Sequence, residues 1–241
     1  MKISDDEISD HTREVSRIRS VYAGRDKSKK KSLYGWYQND VLLNSYRIKA
    51  IVAQHLARKG WCDLSNKEIL DVGCGNGAWL RTIIEWGGEP DKLHGVDLLE
   101  SRIDEAKKRS PHVDYSLSNG CVLPFPDKSM DMICAHTVFS SILDQGARDY
   151  LAMEMIRVLR SGGLLLIYDF CFKNPANDNV VKIDRKEVSR LFPKINFETK
   201  SLTLAPPIQR RLAPFSPLFA HLVEVLFPIL RTHICHFGWL K

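Results

Sequence analysis

No stretch of about 20 uncharged apolar residues occurs in this 241-residue chain, so no membrane-spanning helix is expected. The first residues, Met1 to Glu7, contain no apolar h-region, and no signal peptide is expected. The six cysteines (Cys62, Cys74, Cys121, Cys134, Cys171 and Cys235) form no CxxC pair and show no ligand-like clustering with histidine. That spacing offers no metal site and fits reduced thiols in a cytoplasmic protein. Internal repeats, low-complexity segments and a clear second domain are all missing. The composition that remains is that of one large α/β domain with extensions. The formal charge of +6 is mildly basic, and much of the excess comes from Lys27, Lys29, Lys30 and Lys31. A solvated loop explains that run; attraction to a phosphate-bearing acceptor or an anionic membrane surface is the sharper alternative.

The stretch around which the chain is organised is Glu68-Ile69-Leu70-Asp71-Val72-Gly73-Cys74-Gly75-Asn76-Gly77-Ala78. Ile69, Leu70 and Val72 read as a buried strand, and the apolar spacing then lengthens through Ala78, Leu80, Ile83 and Ile84 into a helix. Strand, glycine turn, helix frames a nucleotide-type cofactor site. The glycines let the backbone turn tightly, and the helix start presents free N–H groups. Gly73-x-Gly75-x-x-Ala78 also satisfies a relaxed dinucleotide fingerprint, which leaves a NAD(P)-dependent oxidoreductase open at this step. Asp71, two residues before the first glycine, suits an ammonium better than a pyrophosphate. The site also begins about 70 residues in, behind a polar helical region, where dinucleotide folds more often start with it.

With the acidic strand end Leu93-His94-Gly95-Val96-Asp97, this stretch resembles motifs I and II of class I S-adenosylmethionine (SAM) methyltransferases, and most of all the small bacterial enzymes called methyltransferase type 11. Asn119-Gly120-Cys121-Val122-Leu123-Pro124-Phe125-Pro126-Asp127 resembles motif III, with Asn119 where the family usually has aspartate. Arg157 to Gly163 matches the family's helix stop before its fifth strand. The resemblance covers roughly residues 40 to 170. It implies a Rossmann-like, doubly wound, mainly parallel seven-stranded sheet with an antiparallel last strand, an N-terminal helical lid and an apolar C-terminal extension.

In chain order, Ser4 and Glu7 form a capping box for a first helix that should stop near Gly24. A loop carrying Tyr34, Trp36 and Tyr37 follows, then a helix from about Asp40 to Arg58. Strands are expected at 69–72, 93–96, 113–117, 130–135 and 164–168, with helices between them. A short helix spans Asp184 to Phe192. Ile195 to Leu204 reads as two short strands, which in the family form a closing hairpin. Pro217 to Leu240 is strongly apolar but broken by Glu224, Pro228 and Arg231. It reads as a tail packed on its own domain or on a second subunit of a homodimer, with a membrane-surface role for a lipid-linked acceptor as the alternative. The expected organisation is a cap over 1–60, a SAM-binding core over 61–205 and a C-terminal helical extension over 206–241.

By carry-over from the family, Asp71 and the backbone of Gly73, Cys74, Gly75 and Gly77 hold the methionine part of SAM. Asp97 accepts from the ribose diol, unless it serves only as a helix cap; Leu98 covers one adenine face, and Asn119, Gly120 and Cys121 bound the other. The product is S-adenosylhomocysteine. His136, directly after the fourth strand, is the best-placed general base, the plainer role being a pocket wall. Tyr168 and Asp169 are weaker candidates. Tyr34, Trp36, Tyr37 and Phe139 are expected to wall the acceptor pocket, with cover for the edge of the core as the alternative for the first three. Base-amino methyltransferases usually carry Asn-Pro-Pro-Tyr after strand four and cytosine C5 enzymes a Pro-Cys nucleophile. Here Ile133-Cys134-Ala135-His136-Thr137-Val138 matches neither, and no basic–aromatic array for nucleic acid is present. The expected function is methyl transfer to a small molecule or glycan, by O-methylation, with a non-catalytic SAM-binding module as a further alternative.

Overall fold

A computed structural model describes residues 5–27, 35, 37–172 and 177–241, with backbone alone for 5–10 and 25–27. Ser4, the lysine run at 29–31, Tyr34 and Trp36 therefore lie outside the described residues. Helix α1 (Asp5–Lys27) continues past Gly24, and α2 spans Asn39–Arg58. Then follow β1 (Ile69–Val72), α3 (Ala78–Glu85), β2 (Leu93–Asp97), α4 (Glu100–Arg109), β3 (Asp114–Leu117), β4 (Met130–His136), α5 (Gln145–Val158) and β5 (Leu159–Phe170). The last third holds α6 (Arg185–Leu191), β6 (Asn196–Leu204), α7 (Pro206–Leu212), α8 (Pro217–Leu226) and β7 (Arg231–Trp239).

The seven strands pair in the order β3-β2-β1-β4-β5-β7-β6. Parallel ladders join β3 through β5, and β7 runs antiparallel to both β5 and β6. Alternation along a strand divides the core between the two sheet faces. Ile69 and Leu93 face the side covered by α2 and α3, where Val52, Leu56, Trp79, Leu80 and Ile83 pack. Leu70 and Val72 face α5 and α6, against Leu151, Met155, Val158 and Val188. Each fully buried leucine or isoleucine in these layers contributes about 1.5–3 kcal/mol relative to exposure.

Two expectations change. The closing strand pair is not a hairpin within 195–204: that stretch is one strand, β6, and its antiparallel partner β7 comes from residues 231–239. The helical extension thus ends at Leu226 and the sheet takes its seventh strand from the tail. Pro228 cannot continue the helix, and the sequence beyond it, Arg231 to Trp239, lies along the ladder between β5 and β6. The expected cap also divides. Val52 and Leu56 put α2 into the core, and buried His55 stacks on Phe237 with ring centroids 3.9 Å apart. Of the two helices, α1 is the one that lies over loops.

Candidate functional site

The turn between β1 and α3 sits at the carboxyl end of the parallel strands, where open α/β sheets bind ligands. Gly73, Gly75 and Gly77 all adopt positive φ (69°, 54° and 76°), a region costly for other residues. Packing holds two of them as glycine: a Cβ on Gly73 would lie 2.5 Å from Val138, and one on Gly77 2.2 Å from the Tyr115 hydroxyl. Gly75 differs, for nothing lies within 4 Å of its Cβ position, so its outward side is open. The amides of Gly73 and Cys74 both donate to the carbonyl of Val96, tying the turn to the end of β2 (2.8 and 2.9 Å).

Asp97, the last residue of β2, closes the other side. Its Oδ2 accepts from the Gly75 amide and its Oδ1 from the Leu99 amide, both at 2.9 Å. Burial raises its pKa, and the N–H donors around it oppose that shift. Each oxygen keeps a further acceptor direction for a diol. Leu98 is half-buried beside it. Asp71 is buried at 2% exposure, and its Oδ1 has no hydrogen-bond partner among the described residues. Burial raises its pKa as well, with His136 opposing. A buried carboxylate oxygen without a donor is costly, and an ammonium or N–H placed there satisfies it.

His136, at the end of β4, shares the sheet face of Asp71. Its Nδ1 lies 3.8 Å from Asp71 Oδ1, too long for a hydrogen bond and within ion-pair reach. The ring packs against Trp79 (centroids 4.5 Å apart), whose indole N–H donates to Cys134 Sγ at 3.3 Å. On the next strand Tyr168 stands in register with His136, ring centroids 6.1 Å apart. Its hydroxyl hydrogen-bonds Thr203 Oγ1 at 2.8 Å, its ring stacks on His233, and burial raises its pKa. Trp79, Tyr168 and His136 thus form an aromatic row beside the glycine turn.

The other sequence candidates divide. Asn119 and Cys121 lie in the loop after β3, but the Asn119 side-chain oxygen accepts from the Cys121 amide at 3.0 Å, so it is partly spent on its own turn. Gly120 supplies the positive φ (81°) of that turn, and burial pushes the Cys121 thiol up. Burial likewise raises the pKa of buried Cys74, which is not a reactive thiolate. Phe139 is corrected: it is fully buried on the opposite sheet face, edge-on to Phe192 at 5.9 Å, and packs the core rather than a pocket. Asp169 is likewise turned away from His136, its Oδ2 accepting from the Ser140 amide at 3.0 Å. Tyr37 is described and 57% exposed.

Sequence reading passed over Trp79 and the inner face of α1. Trp79 stands at helical spacing with core residues, so nothing in its position separates it from packing. On α1, His11 Nε2 contacts the Asn119 carbonyl at 3.2 Å and Glu14 accepts from the Leu143 amide at 2.5 Å. Arg17 donates to the Ser141 carbonyl at 2.6 Å. Burial would raise the Glu14 carboxyl, but Arg17 and the Leu143 amide hold it below the usual range. This helix therefore bridges the loops after β3 and β4. Their partners are over 100 residues away in sequence, which no local pattern encodes.

Comparison with known proteins agrees with this geometry. Residues 69–163 match the family described as a methyltransferase domain. A probable S-adenosylmethionine-dependent methyltransferase of Mycolicibacterium smegmatis is 30% identical over 122 residues, 51% of this chain and 44% of that protein. The malonyl-[acyl-carrier protein] O-methyltransferase of Serratia marcescens is 34% identical over 102 residues, 42% of this chain and 37% of that protein. The chain thus spans less than half the length of the curated relatives it matches. Among solved structures, the geranyl diphosphate C-methyltransferase of Streptomyces coelicolor, in complex with Mg2+, geranyl diphosphate and S-adenosylhomocysteine, has a TM-score of 0.61. It is 16% identical, with 81% of this chain and 78% of that chain covered, a likeness of fold.

Proposed function

We propose that this protein, whose residues 69–163 match a methyltransferase-domain family, moves a methyl group from SAM to a small-molecule or glycan acceptor, by O-methylation. The observation that carries this reading is a pair of carboxylates on adjacent strands: Asp71 in β1, buried with an oxygen that has no partner among the described residues, and Asp97 at the end of β2, which accepts from the amide of Gly75, whose outward side is open. The unpartnered Asp71 oxygen accepts from the donor's ammonium, and Asp97 accepts from its ribose hydroxyls. Leu98, Gly120 and Cys121 bound the adenine, with a weaker contribution from the half-engaged Asn119 oxygen.

When bound, the donor supplies a methyl group on a sulfonium, with its leaving group already in place for in-line displacement. The chain's part is to position and to handle one proton. Trp79 and Tyr168 fix the acceptor side of His136. Neutral His136, held beside Asp71, takes the proton from an acceptor hydroxyl through a ring nitrogen as the new C–O bond forms and the methyl–sulfur bond breaks. The raised pKa of Tyr168 keeps it a neutral hydroxyl, able to orient the acceptor but not to serve as base. No helix among the described residues is long and apolar enough to cross a membrane. The six free cysteines support action in the cytoplasm.

Incubating the protein with methyl-labelled SAM and fractionated extract of the source cell tests the proposal. Label in a small-molecule or glycan fraction is expected. Label in nucleic acid would overturn the acceptor class, and SAM binding without transfer to any fraction would favour a non-catalytic module.

A further inference from the structure

Helix α8 is built inside out. Its one carboxylate, Glu224, is fully buried, ion-paired to Arg47 of α2 and accepting from the Thr203 amide at 2.8 Å. The apolar residues point the other way: Leu218 is 81% exposed and Leu226 61%, with Phe215 and Ile229, at the two ends, 90% exposed each. Single exposed apolar residues are ordinary, but a contiguous face of this kind marks an interaction surface. Ser216 caps the helix by accepting from the Phe219 amide at 3.1 Å, and the buried ion pair locks its rotation. The outward face is therefore fixed.

Charge says what this face suits. From Ala205 to Leu230 the only acidic residue is Glu224, which is buried, whereas Arg211 on the adjoining α7 is exposed. The surface thus offers apolar side chains and a cation with no exposed carboxylate. A second copy would bring the same sign of charge to the contact; an anionic lipid surface brings the opposite one. At 10 residues, α8 is about 15 Å long, half the hydrocarbon thickness of a bilayer, so it fits in the interface plane and not across it. It also follows β6, whose carboxyl end lies at the same end of the sheet as the glycine turn. Thr203 links the two regions, bonding Glu224 through its amide and Tyr168 through its hydroxyl.

We propose that the outward face of α8, with Phe215 and Ile229 at its ends and Arg211 beside it, docks this protein onto the surface of an anionic lipid bilayer. The face is separate from the donor crevice, so docking and donor binding succeed or fail independently. The full chain is sedimented with vesicles of phosphatidylcholine alone and with vesicles that also contain phosphatidylglycerol. Binding is expected to both, and tighter to the anionic vesicles. The triple variant Phe215→Ser, Leu218→Ser, Ile229→Ser should lose at least ~tenfold in partitioning, while S-adenosylhomocysteine binding and circular dichroism stay unchanged. Arg211→Glu should abolish the preference for anionic vesicles. Failure of the unaltered protein to pellet with either vesicle would overturn the proposal, as would equal partitioning of the triple variant. So would a concentration-dependent dimer abolished by the same substitutions in a protein that ignores vesicles.

Discussion

Replacing Asp97 by alanine separates two consequences of one carboxylate. In the free protein its oxygens accept from the amides of Gly75 and Leu99, both at 2.9 Å, and so hold the glycine turn to the start of α4. Asp97 is only half-buried, so water can reach these amides once the carboxylate is gone. The loss in folding stability should therefore stay near the low end for an orphaned donor, about 1–2 kcal/mol in total. Donor binding should suffer more. Loss of a charged hydrogen-bond pair to the ribose diol costs about 1.5–3 kcal/mol, or roughly 10- to 150-fold in affinity. Asp97→Asn sharpens the test. Its amide nitrogen cannot accept from a backbone N–H, so one of the two amides faces a donor, and the variant should recover little of the lost affinity. Titration calorimetry with S-adenosylhomocysteine gives the affinities and urea unfolding the stabilities. Native-like donor affinity in a folded Asp97→Ala protein would refute the placement of the ribose.

Other perturbations follow from the same geometry. Gly77→Ala forces a Cβ to within 2.2 Å of the Tyr115 hydroxyl at φ 76°, whereas Gly60→Ala meets nothing within 4 Å at φ 79°. Urea unfolding should show a cost of about 1–2 kcal/mol for Gly60→Ala and clearly more for Gly77→Ala; equal costs would remove the packing argument. His136→Ala should lower kcat by about 10²-fold or more while S-adenosylhomocysteine binding stays unchanged. Unchanged turnover would leave His136 as a pocket wall. Burial raises Asp169 from 3.8 to about 6, so the folded state binds its proton more tightly than the unfolded chain. Its contribution is fully present below the unfolded value and is lost as pH rises to the folded one, a swing of about 3 kcal/mol at most. Relative to Asp169→Asn, the native protein should lose stability between those two pH values; parallel unfolding curves for the two proteins would contradict this.

Much of the frame was legible because its signals are local. The run Ile69 to Val72, the alternating glycines and the acid at Asp97 each announce themselves within a few residues, and the strands and helices fall close to where periodicity puts them. What escaped depended on distance. The pairing of β7 with β5 joins residues from opposite ends of the chain's last third, and an apolar tail gives no sign that it will enter the sheet between β5 and β6. Phe139 illustrates the other difficulty: its position after β4 suggests a pocket, yet a short turn at Phe139–Ser141 points it to the far face of the sheet. The contacts of His11, Glu14 and Arg17 with loops over 100 residues away have no sequence signature. In α8, the buried Glu224 reverses what an amphipathic reading would put outside.

The central claim is that the crevice beside Gly75, between Asp71 and Asp97, takes a sulfonium-bearing nucleoside and not a dinucleotide. Parallel calorimetric titrations of the full chain with SAM and with NADH test it directly. Saturable one-to-one binding of SAM, absent with NADH and weakened by Asp97→Ala, is the expected result. Binding of NADH with none of SAM would contradict it.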